Sequence, residues 1–334
     1  MILVTGGTGL VGAHLLYELV ATGHSVRAIH RESSNLKAVK KIFGYYEAGI
    51  ELFANIEWVE ADINDIPALE EAFNDVTHVY HAAALISFDP GNYKKLQKVN
   101  IEGTSNVVNL CIDNHIEKLC YVSTIGAIGK SLGNSKADEE NAWTPQEANV
   151  YGLSKHAAEL EVWRGSQEGL PVVMVNPGVI IGPGLWNTGS GTLFKIAEKG
   201  HRFYPPGGTG FITVHDVVRL MVKLMASNIK NERYIAVAEN WTYYKILSEI
   251  TTAFAIKPPR TRLRFWQLEI GRWFDWLKNI LLKKGRRITK SSIRSLRHRE
   301  VYDNQKVKHD LDFEFEPLND TINFCSEQFL QENR

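Results

Sequence analysis

The glycine-rich segment at residues 5–12 constrains the fold of this chain most. It reads Thr-Gly-Gly-Thr-Gly-Leu-Val-Gly, follows a short apolar run at residues 2–4 and precedes an amphipathic helix. A turn of this spacing between a strand and a helix is typical of a dinucleotide-binding site. Gly6 allows the tight turn, Gly9 lets the backbone approach a pyrophosphate, and Gly12 lets the helix pack closely on the strand. An ordinary glycine-rich turn is the alternative.

Strand and helix patterns alternate through the first half of the chain. Further strands are predicted at residues 25–30, 56–60, 76–81, 118–122 and 172–175, and a helix at residues 94–114. Such alternation predicts an α/β fold of the Rossmann type, with a doubly wound parallel sheet. We assign residues 1–184 to the dinucleotide-binding domain, with residues 208–240 returning to it and a strand at 233–238 on the sheet edge. Residues 185–207 and 241–334 are assigned to a smaller, mostly helical substrate-binding domain, in which residues 301–313 are predicted to form a loop and a strand.

The end of the second predicted strand decides which dinucleotide fits. An acidic residue there binds the 2′-hydroxyl of the adenosine ribose, whereas a basic residue accommodates a 2′-phosphate. The strand ends in His30 and Arg31, and Glu32 follows. Because an arginine is the better partner for a phosphate, the sequence favours NADP, with NAD as the alternative on account of Glu32. The alternative for Arg31 is a solvated charge in a loop, without a contact to the cofactor.

Tyr151 and Lys155 are four residues apart in a segment of helical periodicity, so their side chains share one helix face. A phenol ionises near pH ~10 and is a poor acid–base group at neutrality. A neighbouring ammonium stabilises the phenolate and lowers that pKa. We therefore predict that Tyr151 hands a proton to a carbonyl oxygen, with Lys155 as its electrostatic support. A chance pairing on a solvated helix is the alternative, because the spacing is common.

Thr124 follows the fifth predicted strand, and ligands of a doubly wound sheet bind beyond the carboxyl ends of its strands. The Thr124 hydroxyl is therefore predicted to donate a hydrogen bond to a substrate carbonyl oxygen, or else to bond its own loop. Residues 130–149 include Asp138, Glu139 and Glu140 and are predicted to form a surface loop without chemistry. No His or Cys joins these acids, and we predict no metal site.

Taken together, these segments resemble the extended short-chain dehydrogenases/reductases, which include the NAD-dependent epimerases and dehydratases. The matching motifs are the glycine turn, Asp62-Ile63, His81-Ala82-Ala83-Ala84, Asn100-x-x-Gly-Thr104, Ser123-Thr124, Tyr151-x-x-x-Lys155 and Asn176-Pro-Gly-Val179. The resemblance implies that Thr124, Tyr151 and Lys155 form a catalytic triad. It also implies that Lys155 binds the nicotinamide ribose.

The cofactor contacts are predicted at the glycine turn, at the ends of the second to fifth strands, at Asn100, at Tyr151 and Lys155, and in the loop after the sixth strand. Asp62 is placed to bond the adenine amino group, and small residues after His81 let the backbone lie against a flat cofactor. The predicted contacts are Gly6, Thr8, Gly9, Leu10, Val11, Gly12, Arg31, Asp62, Ile63, His81, Ala82, Ala83, Asn100, Ser123, Tyr151, Lys155, Pro177, Gly178 and Val179.

Several subgroups of the resembled family differ in the active loop. Sugar-nucleotide 4,6-dehydratases carry Thr-Asp-Glu, whereas this chain has Thr124-Ile-Gly126. More loosely, the chain resembles the dihydroflavonol-reductase and 3β-hydroxysteroid-dehydrogenase branch. We therefore predict an NADP-preferring oxidoreductase that reduces a ketone or aldehyde of a small, fairly apolar substrate. A sugar-nucleotide epimerase with the same triad and a nucleotide-sensing binding protein without catalysis are the alternatives.

Residues 265–299 combine an aromatic run with a basic one. Trp266, Trp273 and Trp276 lie in the aromatic part, and nine Lys, Arg or His residues follow within 283–299. A lid that packs its apolar face over the substrate is one interpretation. A helix on a membrane surface is the other, which we disfavour because apolar stripes usually pack in the core.

Composition excludes some classes of protein. Lys plus Arg and Asp plus Glu both number 38, so the formal charge is zero and nucleic acid is not an expected partner. The three cysteines show no pairing pattern, and the N-terminus reads as a strand rather than a signal peptide, so we expect a cytoplasmic protein with reduced thiols. The resemblance further implies a homodimer through the helices at residues 94–114 and 148–168, with Val107, Val108, Cys111, Leu160 and Trp163 as the apolar patch.

Overall fold

A computed structural model of the chain describes residues 1–130, 136–282 and 290–333. The strands are β1 (Ile2–Thr5), β2 (Val26–His30), β3 (Ile56–Glu60), β4 (His78–His81), β5 (Lys118–Val122), β6 (Val172–Pro177), β7 (Val179–Ile181), β8 (Phe203–Tyr204), β9 (Gly208–Thr213), β10 (Glu232–Ala236), β11 (Glu239–Thr242) and β12 (Thr261–Arg262). The helices are α1 (Leu10–Ala21), α2 (Leu36–Phe43), α3 (Gly49–Leu52), α4 (Ile66–Ala72), α5 (Tyr93–Leu96), α6 (Gly103–Asp113), α7 (Val150–Gln167), α8 (Gly191–Glu198), α9 (Val214–Ala226), α10 (Tyr243–Ala253), α11 (Phe265–Leu282), α12 (Lys290–Arg297), α13 (Gln305–Leu311) and α14 (Leu318–Asn333).

Seven strands form one parallel sheet in the order β10-β6-β5-β4-β1-β2-β3. The predicted doubly wound α/β fold is therefore confirmed, and β10 occupies the predicted edge position. Strands β2 and β3 lie in sequence on one side of β1, and β4 then pairs with the other side of β1. Thr5 at the end of β1 lies beside His81 at the end of β4. This reversal opens the crevice where ligands of such sheets bind.

Helices cover both faces of the sheet. One apolar cluster joins α1 and α9 to the sheet, with Leu16 and Leu224 fully buried in it. The opposite cluster joins α6 and α7, with Val108 and Val162 fully buried. Because both faces are covered, strands such as β1 and β6 read as continuous apolar runs rather than as alternating patterns, and every residue of β6 is buried.

The remaining elements form a smaller layer around a second sheet. Strand β9 pairs parallel with β7 and antiparallel with β11, while β8 and β12 form a separate pair. Helices α8, α10 and α14 enclose a cluster in which Phe194, Trp241, Ile250 and Phe329 are buried. The division of the chain into a dinucleotide-binding domain and a smaller, mostly helical substrate-binding domain stays a prediction.

Three sequence-based assignments need correction. The helix predicted at residues 94–114 is present but not α-helical throughout, because π-helical backbone at Gln97–Glu102 lies between α5 and α6. The loop and strand predicted at residues 301–313 contain helix α13 instead, whose Val307 and Leu311 are buried at helical spacing. Val107, Val108 and Cys111 are fully buried within the chain, so they cannot supply an apolar patch for a dimer. A homodimer stays a prediction without those contacts.

Candidate active site

The glycine turn leaves no room for side chains. Gly6 has φ +74°, and a Cβ atom placed on it would lie 2.4 Å from the Ala83 nitrogen. A Cβ on Gly12 would lie 2.1 Å from the Gly6 carbonyl oxygen, so α1 crosses the turn in close contact. Helix α1 begins after Gly9, and no side chain caps it. The N–H groups of its first turn thus remain open to an anion, which fits the pyrophosphate of a dinucleotide.

The other predicted contacts of the turn surround this opening. Thr8, Leu10 and Val11 are each partly buried beside Gly9. They lie where the backbone leaves β1 and enters the helix. The sequence therefore identified a segment whose shape and open donors suit a phosphate group.

The end of β2 presents a cation to solvent. Arg31 is exposed, and its backbone N–H donates to the Ser34 hydroxyl at 3.0 Å. Glu32 is also exposed, and the His30 ring lies edge-on to Trp58 at 5.9 Å between centroids. No ion-pair partner for Arg31 occurs within residues 1–130, 136–282 and 290–333. The guanidinium is therefore available to a phosphate at this end of the sheet.

Asp62 and Ile63 follow β3. One Asp62 carboxylate oxygen accepts hydrogen bonds from the backbone and side chain of Asn64, at 2.9 and 3.1 Å. Ile63 is buried and lies against Gly103, where an added Cβ would approach its side chain to 2.5 Å. The pair thus shapes the crevice wall, and an adenine contact of Asp62 stays a prediction.

His81 lies behind the crevice rather than in it. Its Nδ1 is 2.6 Å from the Thr5 hydroxyl and its Nε2 is 2.9 Å from the Thr104 hydroxyl. Complete burial lowers the pKa of His81 to about 3, so the imidazole is neutral. The side chain fixes the ends of β1 and β4, and only the backbone from His81 through Ala82 to Ala83 remains to face a cofactor.

Asn100 joins three segments from within the π-helical turn. Its Oδ1 accepts from the Leu85 N–H at 2.7 Å, and its Nδ2 donates to the Leu85 carbonyl at 3.0 Å and to the Ser154 hydroxyl at 2.9 Å. Both amide donors are therefore in use. Asn100 holds the loop after β4 against α7, and any contact with a cofactor stays a prediction.

The structure brings the three predicted catalytic residues to the same end of the sheet. Thr124 lies two residues beyond the end of β5, and its Oγ1 accepts a hydrogen bond from the Gly126 N–H at 3.2 Å. The hydroxyl proton of Thr124 is not used in that contact. Helix α7 begins at Val150, directly before Tyr151, and the Asn149 side chain caps it at the Gly152 N–H. The predicted helix is thus confirmed at the position of Tyr151 and Lys155.

Lys155 is anchored by groups other than Tyr151. Its ammonium donates to the Tyr121 hydroxyl at 2.6 Å and to the Val122 carbonyl at 2.7 Å. Burial lowers the pKa of Lys155 to about 7, while the nearby Glu159 carboxylate opposes this shift. Burial also raises the pKa of Tyr151, so the expected lowering by the ammonium is not seen here. Tyr151 is consequently a protonated phenol at neutral pH.

Sequence reasoning missed a buried polar network behind Lys155. Glu159 lies one helical turn after Lys155 and is 1% exposed. Its carboxylate accepts from Asn176 at 2.6 Å and pairs with Arg233 at 3.3 Å. The Arg233 guanidinium also donates to the Glu139 carbonyl, and the Glu139 carboxylate accepts from the Ile235 N–H at 2.7 Å. Glu139 is buried, so its assignment to a surface loop was wrong.

Two further predicted segments complete the crevice wall. Ser123 is buried, and its N–H donates to the Val175 carbonyl at 2.7 Å. Gly178 separates β6 from β7, and a Cβ there would lie 2.4 Å from the Gly210 carbonyl oxygen. Pro177 ends β6 in a buried position, while Val179 is partly buried. A contact of this loop with the nicotinamide stays a prediction.

The surroundings of Tyr151 are apolar on the open side. The Phe88 ring lies edge-on to the Tyr151 ring at 5.7 Å between centroids and is itself 46% exposed. Ile86 on the same loop is exposed as well. Trp143 stacks on His156 at 3.7 Å on the neighbouring part of α7. A carbonyl compound approaching Tyr151 would therefore meet aromatic and aliphatic surface before it met charge.

Comparison with known proteins agrees with this geometry. The family described as the NAD dependent epimerase/dehydratase family matches residues 2–237. The chain is 30% identical over 252 residues to Sterol demethylase protein B of Methylococcus capsulatus, covering 73% of this chain and 72% of that protein. It is 29% identical over 289 residues to a putative dihydroflavonol 4-reductase of a Synechocystis species, covering 84% and 79%.

Solved structures give the same result for the fold. The crystal structure of gox2253 superposes with a TM-score of 0.83 at 25% identity and covers 100% of this chain and 99% of that one. The UDP-glucose 4-epimerase of Thermotoga maritima with UDP-glucose has a TM-score of 0.77 at 21% identity and covers 100% of this chain and 99% of that one. A likeness at this identity shows the fold alone.

These matches confirm the family resemblance inferred from the motifs, including its likeness to dihydroflavonol reductases. They also confirm the enzyme class predicted, an NAD(P)-dependent oxidoreductase, with an epimerase as the stated alternative. The chain therefore belongs to the NAD-dependent epimerase/dehydratase family.

Proposed function

We propose that this enzyme prefers NADP and reduces the ketone or aldehyde of a small, fairly apolar substrate, with Tyr151 as the general acid. The observation that carries the proposal is the convergence of Thr124, Tyr151 and the buried Lys155 ammonium beside the crevice. Tyr151 is protonated at neutral pH, as an ordinary phenol is, and burial raises its pKa further. A protonated phenol can give a proton to a carbonyl oxygen, which is the proton transfer that reduction requires.

Thr124 and Tyr151 have complementary tasks in this scheme. The Thr124 hydroxyl oxygen accepts from the Gly126 N–H, which leaves its own proton free to donate. That proton can be donated to the substrate oxygen and so polarise the carbonyl group. Tyr151 then supplies the proton that the oxygen takes up as negative charge develops there. Phe88 holds the phenol ring in place by edge-on contact.

Lys155 supports Tyr151 through charge rather than contact. The ammonium is held by Tyr121 and Val122, so it is fixed while the phenol loses its proton. A positive charge in a buried site stabilises the developing phenolate more strongly than in water. The bound dinucleotide would supply the hydride. The glycine turn, Arg31, Asp62 and the loop after β6 are the groups proposed to hold it.

The preference for NADP rests on Arg31. An exposed guanidinium at the end of β2 can pair with a 2′-phosphate in a charge-assisted contact. The Ser34 hydroxyl lies next to it and fixes the backbone of the turn. NAD is the alternative, with Glu32 as the ribose contact.

An apolar substrate is proposed from the groups around the phenol. Phe88 and Ile86 present exposed apolar surface beside Tyr151. The epimerase alternative requires cations for a diphosphate, and Arg260, Arg262 and Arg264 are the sequence candidates. All three are exposed in the structure. A nucleotide-sensing protein without catalysis would have no use for the three residues gathered at the crevice. A cytoplasmic location and a homodimer belong to the same proposal.

The test is reduction of a panel of phenolic, steroid-like and aliphatic carbonyl compounds with NADPH. Tyr151→Phe should lower turnover about 100-fold or more, the usual scale of general acid–base help, and leave folding unchanged. Tyr244→Phe is the matched control, because Tyr244 is an exposed phenol on α10. Turnover of the folded Tyr151→Phe variant near that of wild type would refute the assignment. Turnover of UDP-sugars but not of simple carbonyls would favour the epimerase.

A further inference from the structure

Helix α11 presents large apolar side chains to solvent. Phe265 is 43% exposed, Trp266 57%, Ile270 45% and Trp273 58%. At about 100° per residue these four positions lie within about 140° of the helix circumference, and we call them the aromatic face. Leu268 points to the far side and is buried. The expectation that the aromatic side chains pack on the core is therefore wrong for Phe265, Trp266 and Trp273, while the Trp276 side chain lies outside the described residues. The helix is anchored through its opposite side.

Charge is concentrated around the aromatic face. Residues 257–299 contain fourteen Lys and Arg and two acidic residues, a net charge of +12 in a chain whose total is zero. The rest of the chain therefore carries a net charge of −12. Arg260, Arg262 and Arg264 are exposed directly before the helix, and the Arg297 guanidinium lies 4.5 Å from the centre of the Phe265 ring. Residues 283–289, with four of the cations, lie outside the described residues.

The acidic residue nearest to the aromatic face is neutralised. Glu269 falls within the same sector of the helix and pairs with Arg272 at 2.8 Å. The Arg272 guanidinium in turn lies 5.4 Å from the centre of the Trp273 ring. The face thus offers aromatic rings edged by cations rather than by free carboxylates.

We propose that the aromatic face of α11 binds the surface of an anionic lipid bilayer, with the helix lying in the plane of the interface. Tryptophan and phenylalanine with flanking Arg and Lys are the composition of helices that lie in this way. A cationic segment gains further attraction from anionic headgroups. The negative remainder of the chain is repelled by the same surface, so the protein is turned with this segment toward the lipid.

Crossing of the bilayer is not part of the proposal. Among the described residues no helix is both long and apolar enough to span a membrane. The binding is peripheral and reversible, since it depends on one helix face and on charge.

The proposed membrane face adjoins the catalytic helix. Helix α12 packs against α11, and the Arg294 guanidinium donates to the Gln146 carbonyl at 3.1 Å. Gln146 lies in the 3₁₀ turn Pro145–Glu147 that leads into α7 and Tyr151. Binding of α11 to a bilayer would therefore place the loop before Tyr151 next to the lipid.

Sedimentation with vesicles tests the proposal without reference to catalysis. The full chain should sediment with vesicles of phosphatidylcholine and phosphatidylglycerol at low salt, and far less with phosphatidylcholine alone or at high salt. Tryptophan emission should shift to shorter wavelength on binding. The double variant Trp266→Ser, Ile270→Ser should bind about tenfold or more weakly, because the apolar area it removes is the area that enters the interface.

The matched control is Ile50→Ser on α3, since Ile50 is 51% exposed and lies on the dinucleotide side of the molecule. It should bind vesicles like wild type. The proposal is overturned if the folded wild type stays in the supernatant with anionic vesicles, or if the double variant binds as well as Ile50→Ser. It is also overturned if wild type forms a dimer that the double variant cannot form and that does not bind vesicles, because a second copy would then cover the face.

Discussion

Removal of the Glu159 charge should change the pH range in which the enzyme works. Glu159 and Lys155 are one helical turn apart, both 1% exposed, and the carboxylate is the group that opposes the burial-induced fall of the Lys155 pKa. Charges about 6 Å apart at an effective dielectric constant of about 20 interact by roughly 2–3 kcal/mol. One pKa unit corresponds to about 1.4 kcal/mol, so Glu159→Gln should lower the Lys155 pKa by roughly one to two units.

The Lys155 pKa of about 7 would then fall below neutrality. A neutral amine gives no charge to stabilise the developing phenolate, so the alkaline limb of kcat/KM should move to lower pH by about one unit or more. At neutral pH the loss should be roughly tenfold. The Arg233 guanidinium keeps its hydrogen bond to the Glu139 carbonyl in this variant, which limits the loss of stability.

The assay is the pH profile of kcat/KM with a carbonyl substrate and NADPH. Glu161→Gln is the matched control, because Glu161 lies on the same helix and pairs with Arg164 at 3.0 Å on its partly exposed side. Its profile should coincide with that of wild type. A folded Glu159→Gln variant whose alkaline limb does not move would refute the electrostatic role given to Glu159.

Other changes should have the following effects. Arg31→Ala should erase most of the preference for NADPH over NADH, which is about tenfold or more if a charge-assisted contact is worth roughly 1.5–3 kcal/mol, as measured by fluorescence titration. Equal wild-type affinities would instead assign the ribose contact to Glu32. Gly12→Ala should abolish dinucleotide binding in calorimetry, since the new Cβ would lie 2.1 Å from the Gly6 carbonyl oxygen. Burial lowers the pKa of Lys155 to about 7, so between that pH and the unfolded value near 10.5 the unfolded chain binds more protons and stability rises with pH. Lys155→Met should flatten that rise in urea midpoints, and an unchanged slope would show that Lys155 is not its source.

The sequence predicted those parts of the fold that depend on local pattern. Apolar runs separated by amphipathic segments specify parallel strands and helices whatever the tertiary detail, and the glycine turn is specified by steric limits at Gly6 and Gly12. Tyr151 and Lys155 were found because i, i+4 spacing on a helix is a local property. The rule that ligands bind beyond the strand ends placed only Thr124, and its grouping with Tyr151 and Lys155 was implied by the family resemblance.

The buried network behind Lys155 was missed because it depends on distant pairing. Glu139 and Glu159 read as surface acids, since carboxylates are rarely buried without partners. Their partner Arg233 lies on β10, which the fold brings alongside β6 only after the substrate-side elements have been built. One local signal was present, because Glu159 is four residues beyond Lys155 on the same helix. The exposed aromatic face is likewise a tertiary outcome, as an apolar stripe does not reveal whether another element covers it.

The late arrival of β10 has a consequence for biosynthesis. As the chain leaves the ribosome, β6 is complete at Pro177, whereas its outer neighbour begins only at Glu232. Until then a fully buried strand has an unpaired edge, and Glu159 lacks its guanidinium partner. The nascent dinucleotide half is therefore open to aggregation or chaperone binding until the polypeptide between the two strands has been made. A chain ended at Gly184 should remain sensitive to protease, while a chain that continues through β10 should gain resistance in the first half.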